Sequence, residues 1–196
     1  MLTVTSSDAS APADITTDRI LDAAYDELLH FGVKGVSVED IAKRVGVARV
    51  TIYRRFANKD ALLAAVALRE GQRLLARVDA ALDEHASVEE QVVEGFTVAF
   101  QAIRNHPIVK RMLTREPELV TGFLSTETAA IVALPRDYIA AHLAQRRPEL
   151  DARPVAELIV RLGASFVLLP DSVIKLKTAA DIRTFARTYL VPLVTP

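Results

Sequence analysis

The chain has 196 residues, 51% of them apolar and 25% charged, with a formal net charge of −1 and no cysteine. That length and apolar content suit one or two small folded domains and exclude a disordered chain. The lack of thiols excludes disulfides, thiolate metal sites and thiol redox chemistry.

Charge is unevenly placed. Residues 1–33 hold one cation, Arg19, against six anions, whereas residues 34–59 hold seven cations against Glu39 and Asp40. Such a patch is either the footprint of a nucleic-acid surface or a solvated charged face, and charge alone favours the solvated face.

Taken in chain order, residues 1–13 are rich in Ser, Thr and Ala, carry Asp8 and have no Lys or Arg. They read as a flexible tail without the positive start of a signal peptide. Further on, no apolar run approaches the ~20 residues that span a bilayer. A cytoplasmic chain with no membrane contact is expected. Ile20, Ala24, Leu28 and Phe31 recur at helical spacing, which predicts a helix over 15–31 that ends in a turn flanked by Gly32 and Gly35. Ser37 can cap a second, short helix stopped by Gly46, with Asp40 near the capping-box position. A third helix is expected over about 48–56. Asn58 can cap a fourth, reaching about Leu82.

Beyond it, Ser87-Val-Glu-Glu90 is a capping box for a helix running to about Asn105. Pro107 fits the first turn of a shorter helix, and Pro117 starts another. Pro135 should kink or break a helical stretch over 126–147. Residues 154–169 are strongly apolar and end at Pro170, and 179–194 close the chain. The fold class is therefore all-α.

The informative stretch is Ser37–Phe56. Two short helices crossing closely need a small residue, here Ala42, and a glycine at the turn, here Gly46. Ile41, Val45, Val47, Ile52 and Phe56 are spaced to face inward, which leaves Thr51, Tyr53, Arg54 and Arg55 for solvent or DNA. An ordinary αα-hairpin is the alternative on spacing alone. Residues 20–24 (Ile-Leu-Asp-Ala-Ala), Phe31-Gly32, Val38-Glu-Asp-Ile-Ala42, Val45-Gly-Val-Ala48, Thr51-Ile-Tyr53, Phe56 and Lys59-Asp-Ala-Leu62 extend the pattern. In order and spacing this set resembles the TetR family over residues 15–63.

The resemblance implies an N-terminal three-helix helix-turn-helix DNA-binding domain at 14–59, followed by a helical ligand-binding and dimerisation domain at 60–196. A recognition helix sets its N-terminal part in the major groove, so Ala48, Arg49 and Val50 are the first-turn candidates. Arg49 can present its fork to guanine O6 and N7, and Val50 can touch a thymine methyl. The resemblance sets Tyr53 and Lys59 on phosphates, with Thr51 nearby. Ser37 can reach phosphate while capping its helix, and Arg54 and Arg55 flank the groove.

Residues 60–196 hold sixteen cations and seventeen anions, so they offer no second obvious DNA surface. Phe96, Phe100 and Ile103 share one side of the fifth helix, and Met112, Leu113, Phe123, Tyr138 and His142 can complete an apolar pocket for a small-molecule effector. Gln101 and Arg104 can help orient a ligand. Core packing explains the same pattern. His30, His85, His106 and His142 form no metal-like pair and no catalytic set, so no metal, cofactor or enzymatic activity is expected. Val155, Leu158, Ile159, Leu162 and Phe166 make one apolar stripe, with Gly163 and Ala164 permitting close helix approach. Ile182, Phe185, Tyr189 and Leu190 make another. By family analogy these form a four-helix homodimer interface, and by pattern alone they are equally an intramolecular core.

The leading expectation is a regulator, a repressor released from palindromic double-stranded operator DNA by a mostly apolar ligand. The alternative is a helical small-molecule-binding or enzymatic protein on the same scaffold without DNA binding. A near-neutral chain argues against sequence-independent DNA coating, which depends on neutralising phosphates.

Overall fold

The computed structural model describes residues 11–82, 87–116 and 129–195, and the regular elements among them are all helical. The first ten residues of the expected tail, His85, the helix expected from Pro117, and Phe123 lie outside the described residues. Two compact units divide the chain, Met1–Arg69 and Glu70–Pro196. Their boundary falls inside a long helix, at whose start the expected division at 59/60 lies.

In the first unit, α1 spans Ala11–Gly35, beginning inside the expected tail and four residues before the expected helix start. Its regular part ends at Gly32, whose φ of 73° and ψ of 178° suit glycine alone. Ile20, Ala24 and Leu28 are buried as the stripe requires, with Leu21 buried beside them, but Phe31, at the helix end, is 55% exposed. α2 spans Val38–Val45, and its Asp40 amide donates to the Ser37 hydroxyl at 3.2 Å. Glu39 and Asp40 sit in its first turn and Lys43 and Arg44 in its last, which complements the helix dipole at both ends. Gly46 ends it at φ 77° and ψ 35°, the left-handed conformation that frees its amide to donate back to Ala42 and Lys43.

The third helix, α3, is shorter than expected, Arg49–Tyr53. Helical hydrogen bonding continues as a turn, with the Phe56 amide donating to the Ile52 carbonyl at 2.9 Å. Val38, Ile41, Ala42 and Val45 of α2 and Ile52 of α3 are buried, whereas Val47 and Phe56 are only half-buried. α4 then spans Lys59–Leu82, with the Ala61 amide donating to the Asn58 side chain at 2.8 Å.

In the second unit, α5 spans Val88–Asn105, with the Glu90 amide donating to the Ser87 hydroxyl at 3.1 Å. α6 spans Pro107–Arg115, with the proline in its first turn. α7, Ala129–Arg146, runs through Pro135 as one helix, so the proline does not break it. It packs along α8, Ala152–Leu168, and those tertiary contacts offset the hydrogen bond that the proline removes. α9 spans Ala179–Phe185 and continues through a π-helical turn, Ala186–Leu190, into α10, Val191–Val194. In that turn the Val191 amide reaches back five residues to Ala186. Phe96 and Phe100 of α5, Ile159 and Val167 of α8, and Ile182, Phe185 and Leu190 form the core. The Phe96 ring lies 5.6 Å from both Phe100 and Phe185. Arg183 grips Glu94 with two bonds of 2.5 and 2.9 Å, which ties α9 to α5 at the edge of this core.

Candidate nucleic-acid interface

The short α3 is held from beneath and open above. Ile52 is 1% exposed, whereas Val50 is 62% exposed and Arg49, Tyr53 and Arg54 are also exposed. One anchored apolar residue per turn leaves the rest of so short a helix facing outward. Ala48 precedes it in extended conformation and gives no side-chain cap, so the first amides of α3 point past an exposed methyl group.

The cations around α3 divide by what they already touch. Arg49 donates from Nη2 to the Tyr53 hydroxyl at 3.0 Å, and its guanidinium carbon lies 5.2 Å from the centre of the Tyr53 ring. That hydrogen bond is the main reason the Arg49 pKa is raised above its ordinary value, and the group stays charged. Arg55 turns back instead, donating to the Thr17 hydroxyl at 3.2 Å and toward the Thr51 carbonyl at 3.5 Å, so it braces α1 against the end of α3. Lys59 donates to the Lys34 carbonyl at 3.3 Å, and its ammonium keeps further donors for a second acceptor. Thr51 and Ser37 are half-buried, with the Ser37 hydroxyl engaged as a cap.

The supporting helices are pinned by ion pairs that the sequence did not single out. Arg44 reaches Glu27 at 2.9 Å and Asp26 at 3.4 Å, and the Glu27 carboxylate is almost fully buried. Arg19 donates to the Val45 carbonyl at 2.9 Å, at the end of α2. Thr17, Asp26 and Glu27 sit on α1, seventeen to thirty-eight residues from their partners. No local pattern marks such pairs. Six cations from α2 to the start of α4 therefore divide into outward groups and internal braces, and the basic patch is smaller than its count.

The residues expected to bind an effector fall into separate surroundings. Phe96 and Phe100 are part of the packed core. Tyr138 and His142 meet elsewhere, on Asp79 of α4: the Tyr138 hydroxyl donates to that carboxylate, and His142 Nε2 lies 3.4 Å from it. Their rings are 4.3 Å apart. Met112 is half-buried and Ile103 is exposed. Arg104 donates to the Leu176 and Lys177 carbonyls, which holds the segment before α9. An open surface cavity of about 420 Å³ lies apart from these residues, lined by Arg136, Asp151, Arg153, Pro154 and Glu157. Among the described residues, no group of three or more His, Asp or Glu could hold a metal ion, and no helix is long and apolar enough to cross a membrane.

The expected dimer residues also divide. Ile159 and Phe185 are buried within the protomer, and Phe166 packs edge-on against Phe185 at 5.2 Å. Leu162 is half-buried against the same core. Leu158 and Tyr189 remain outside, 49% and 51% exposed. Gly163 faces the Phe96 ring, to which an added Cβ would come within 3.3 Å, so its close approach serves the protomer's own core.

Residues 20–66 match the family model described as bacterial regulatory proteins, tetR family. Residues 87–188 match that of the bacterial tetracyclin repressor C-terminal domain. The chain is 30% identical over 168 residues to the HTH-type transcriptional regulator AlkX of Mycobacterium tuberculosis, covering 83% of this chain and 79% of that one. Its fold is similar to that of the TetR family repressor AlkX from Dietzia sp. strain DQ12-45-1b, implicated in biodegradation of n-alkanes. That similarity has a TM-score of 0.69 at 20% identity and covers 96% and 97% of the two chains. Salmonella enterica GusR is similar too, with a TM-score of 0.66 at 20% identity over 97% of this chain and all of that one.

Proposed function

The chain belongs to the TetR family of bacterial regulatory proteins and is a helix-turn-helix transcriptional regulator, and from that premise we propose that it is a cytoplasmic repressor released from its operator by a small, mostly apolar molecule. The observation that carries this reading is the α3 surface, where Arg49, Val50 and Tyr53 stand outward on a helix anchored by Ile52. Arg49 is assigned to a base edge, with Val50 and Ala48 beside it. Tyr53, Lys59, Thr51 and Ser37 are assigned to phosphates, and Arg54 to the groove's flank. Arg55, held by Thr17 and the Thr51 carbonyl, acts as a brace. The alternative, a scaffold that binds or transforms small molecules without DNA, gives no reason for these outward groups.

A two-fold dimer would present two such helices to successive major grooves, about 34–36 Å apart or at a similar spacing. The effector would enter the apolar second unit beside Tyr138 and His142, because Phe100 is consumed by the packed core. The helix α4, which begins at Lys59 and contributes Asp79 to Tyr138 and His142, is the proposed lever. An effector acts only through different affinities for the two states of that lever.

Binding sites selected by the full-length protein from a random duplex pool test the reading directly. A palindromic consensus is expected, and a pool that gains no consensus would sink it. Arg49→Ala should relax preference at one base pair by about 1–3 kcal/mol, whereas Lys59→Ala should weaken all duplexes alike and flatten the salt dependence. Long-chain aliphatic compounds are the first effectors to titrate, given the n-alkane connection of the Dietzia relative. A true effector weakens operator binding by about 5–150-fold, and operator weakens effector binding by the same factor.

A further inference from the structure

We propose that Tyr53 is a specificity-determining residue, because its hydroxyl and ring hold the Arg49 guanidinium in place for reading a base and couple that reading to the phosphate backbone. The inference rests on the DNA-reading role proposed for α3. Arg49 and Tyr53 are four residues apart, so they share one face of α3. The guanidinium both donates to the hydroxyl, at 3.0 Å, and sits over the ring, 5.2 Å from its centre. An unsupported arginine samples many rotamers, and ordering it at the moment of binding opposes affinity. Two contacts from one neighbour remove part of that cost before DNA arrives.

The donors and acceptors are compatible with both roles at once. A guanidinium carries five N–H donors, and Tyr53 takes one of them. The remaining hydrogens can still meet guanine O6 and N7 as a pair. The Tyr53 hydroxyl accepts from Arg49, so its own proton is left to donate to a phosphate oxygen. Accepting from a cation polarises the hydroxyl and makes it a stronger donor. Tyr53 thus links the groove floor to the backbone through a chain of two hydrogen bonds. Arg55, another cation of this segment, is directed to Thr17 and takes no part in the arrangement.

The test uses the full-length protein, its selected operator, and that operator with each base pair changed in turn, all at one salt concentration. Affinities are measured for wild type, Arg49→Ala, Tyr53→Phe and the double variant. Tyr53→Phe keeps the ring, and a melting transition matching the wild type establishes that it folds. The expected result is a loss of preference at the base pair that Arg49→Ala also affects. Its size should be about 2–10-fold, the worth of one hydrogen bond. At that base pair the double variant should be little worse than Arg49→Ala, since both substitutions remove one coupled unit, while the phosphate bond lost with the Tyr53 hydroxyl weakens every duplex by a common factor. A Tyr53→Phe variant that weakens every duplex equally, with additive losses in the double variant, would overturn the proposal and leave Tyr53 a plain phosphate contact. A wild-type protein that binds all duplexes equally would overturn the functional reading and this coupling together.

Discussion

Arg44 shows how a cation in a basic patch can belong to the fold. Its partner Glu27 is 2% exposed, and the 2.9 Å ion pair is what makes a carboxylate tolerable there. Removing only the arginine would leave a buried charge without its partner, which costs more than the pair itself contributes. Arg44→Met should therefore lower unfolding stability by about 1–3 kcal/mol. Urea denaturation checks this, and an unchanged midpoint would return Arg44 to the solvated surface. The neighbouring Lys43 is different: it pairs with Glu39 at 2.9 Å with both side chains largely exposed, and a Lys43 substitution should change little.

At the level of elements, the start of α9 carries a reciprocal cap. The Asp181 amide donates to the Thr178 hydroxyl at 3.1 Å, and the Thr178 and Lys177 amides donate to the Asp181 carboxylate at 2.8 and 3.1 Å. The Thr178 amide is the main cause of an Asp181 pKa below its ordinary value of 3.8. A carboxylate lowered in the folded state contributes stability that is present above its ordinary value and lost as pH falls through the lowered one. The gap in melting temperature between wild type and Asp181→Asn should thus be widest above pH 3.8 and close as the solution is acidified further. A gap that stays constant with pH would show that the charge contributes nothing. Helix α7 offers a second check on elements. Pro135 has no amide to offer the Ile131 carbonyl, so Pro135→Ala should raise unfolding stability, by up to about 3 kcal/mol. A destabilised variant would mean that the proline ring's own packing outweighs the missing hydrogen bond.

For the whole molecule, the question is which apolar surface the protomer leaves uncovered. Leu158 on α8 and Tyr189 in the π-helical turn after α9 are half exposed, while their neighbours Ile159 and Phe185 are consumed by the core. If the proposed homodimer forms through these two elements, Leu158 and Tyr189 are the residues to change. Leu158→Glu with Tyr189→Glu should yield folded monomers that no longer bind operator, as read by sedimentation at micromolar concentration. Phe166→Glu is a poorer probe, because that ring packs on Phe185 and its loss would disturb the protomer. A double variant that stays dimeric would move the interface elsewhere.

Local chemistry made much of this legible in the sequence. Ser37, Asn58 and Ser87 each cap a helix through an amide three residues ahead, and Gly46 turns the chain through a backbone conformation that it alone adopts easily. Such interactions span one turn, so the residues that make them are visible together in the chain, and the outward face of α3 follows from the same short-range periodicity. What lay beyond one turn was decided by tertiary structure. Arg55 finds Thr17 thirty-eight residues away, Tyr138 finds Asp79 fifty-nine away, and Arg183 finds Glu94 eighty-nine away. An apolar stripe states that a face avoids water but not what covers it. Only packing in three dimensions sent Ile159 and Phe185 inward and left Leu158 and Tyr189 outside, because burial depends on which helix arrives opposite and not on the residue alone.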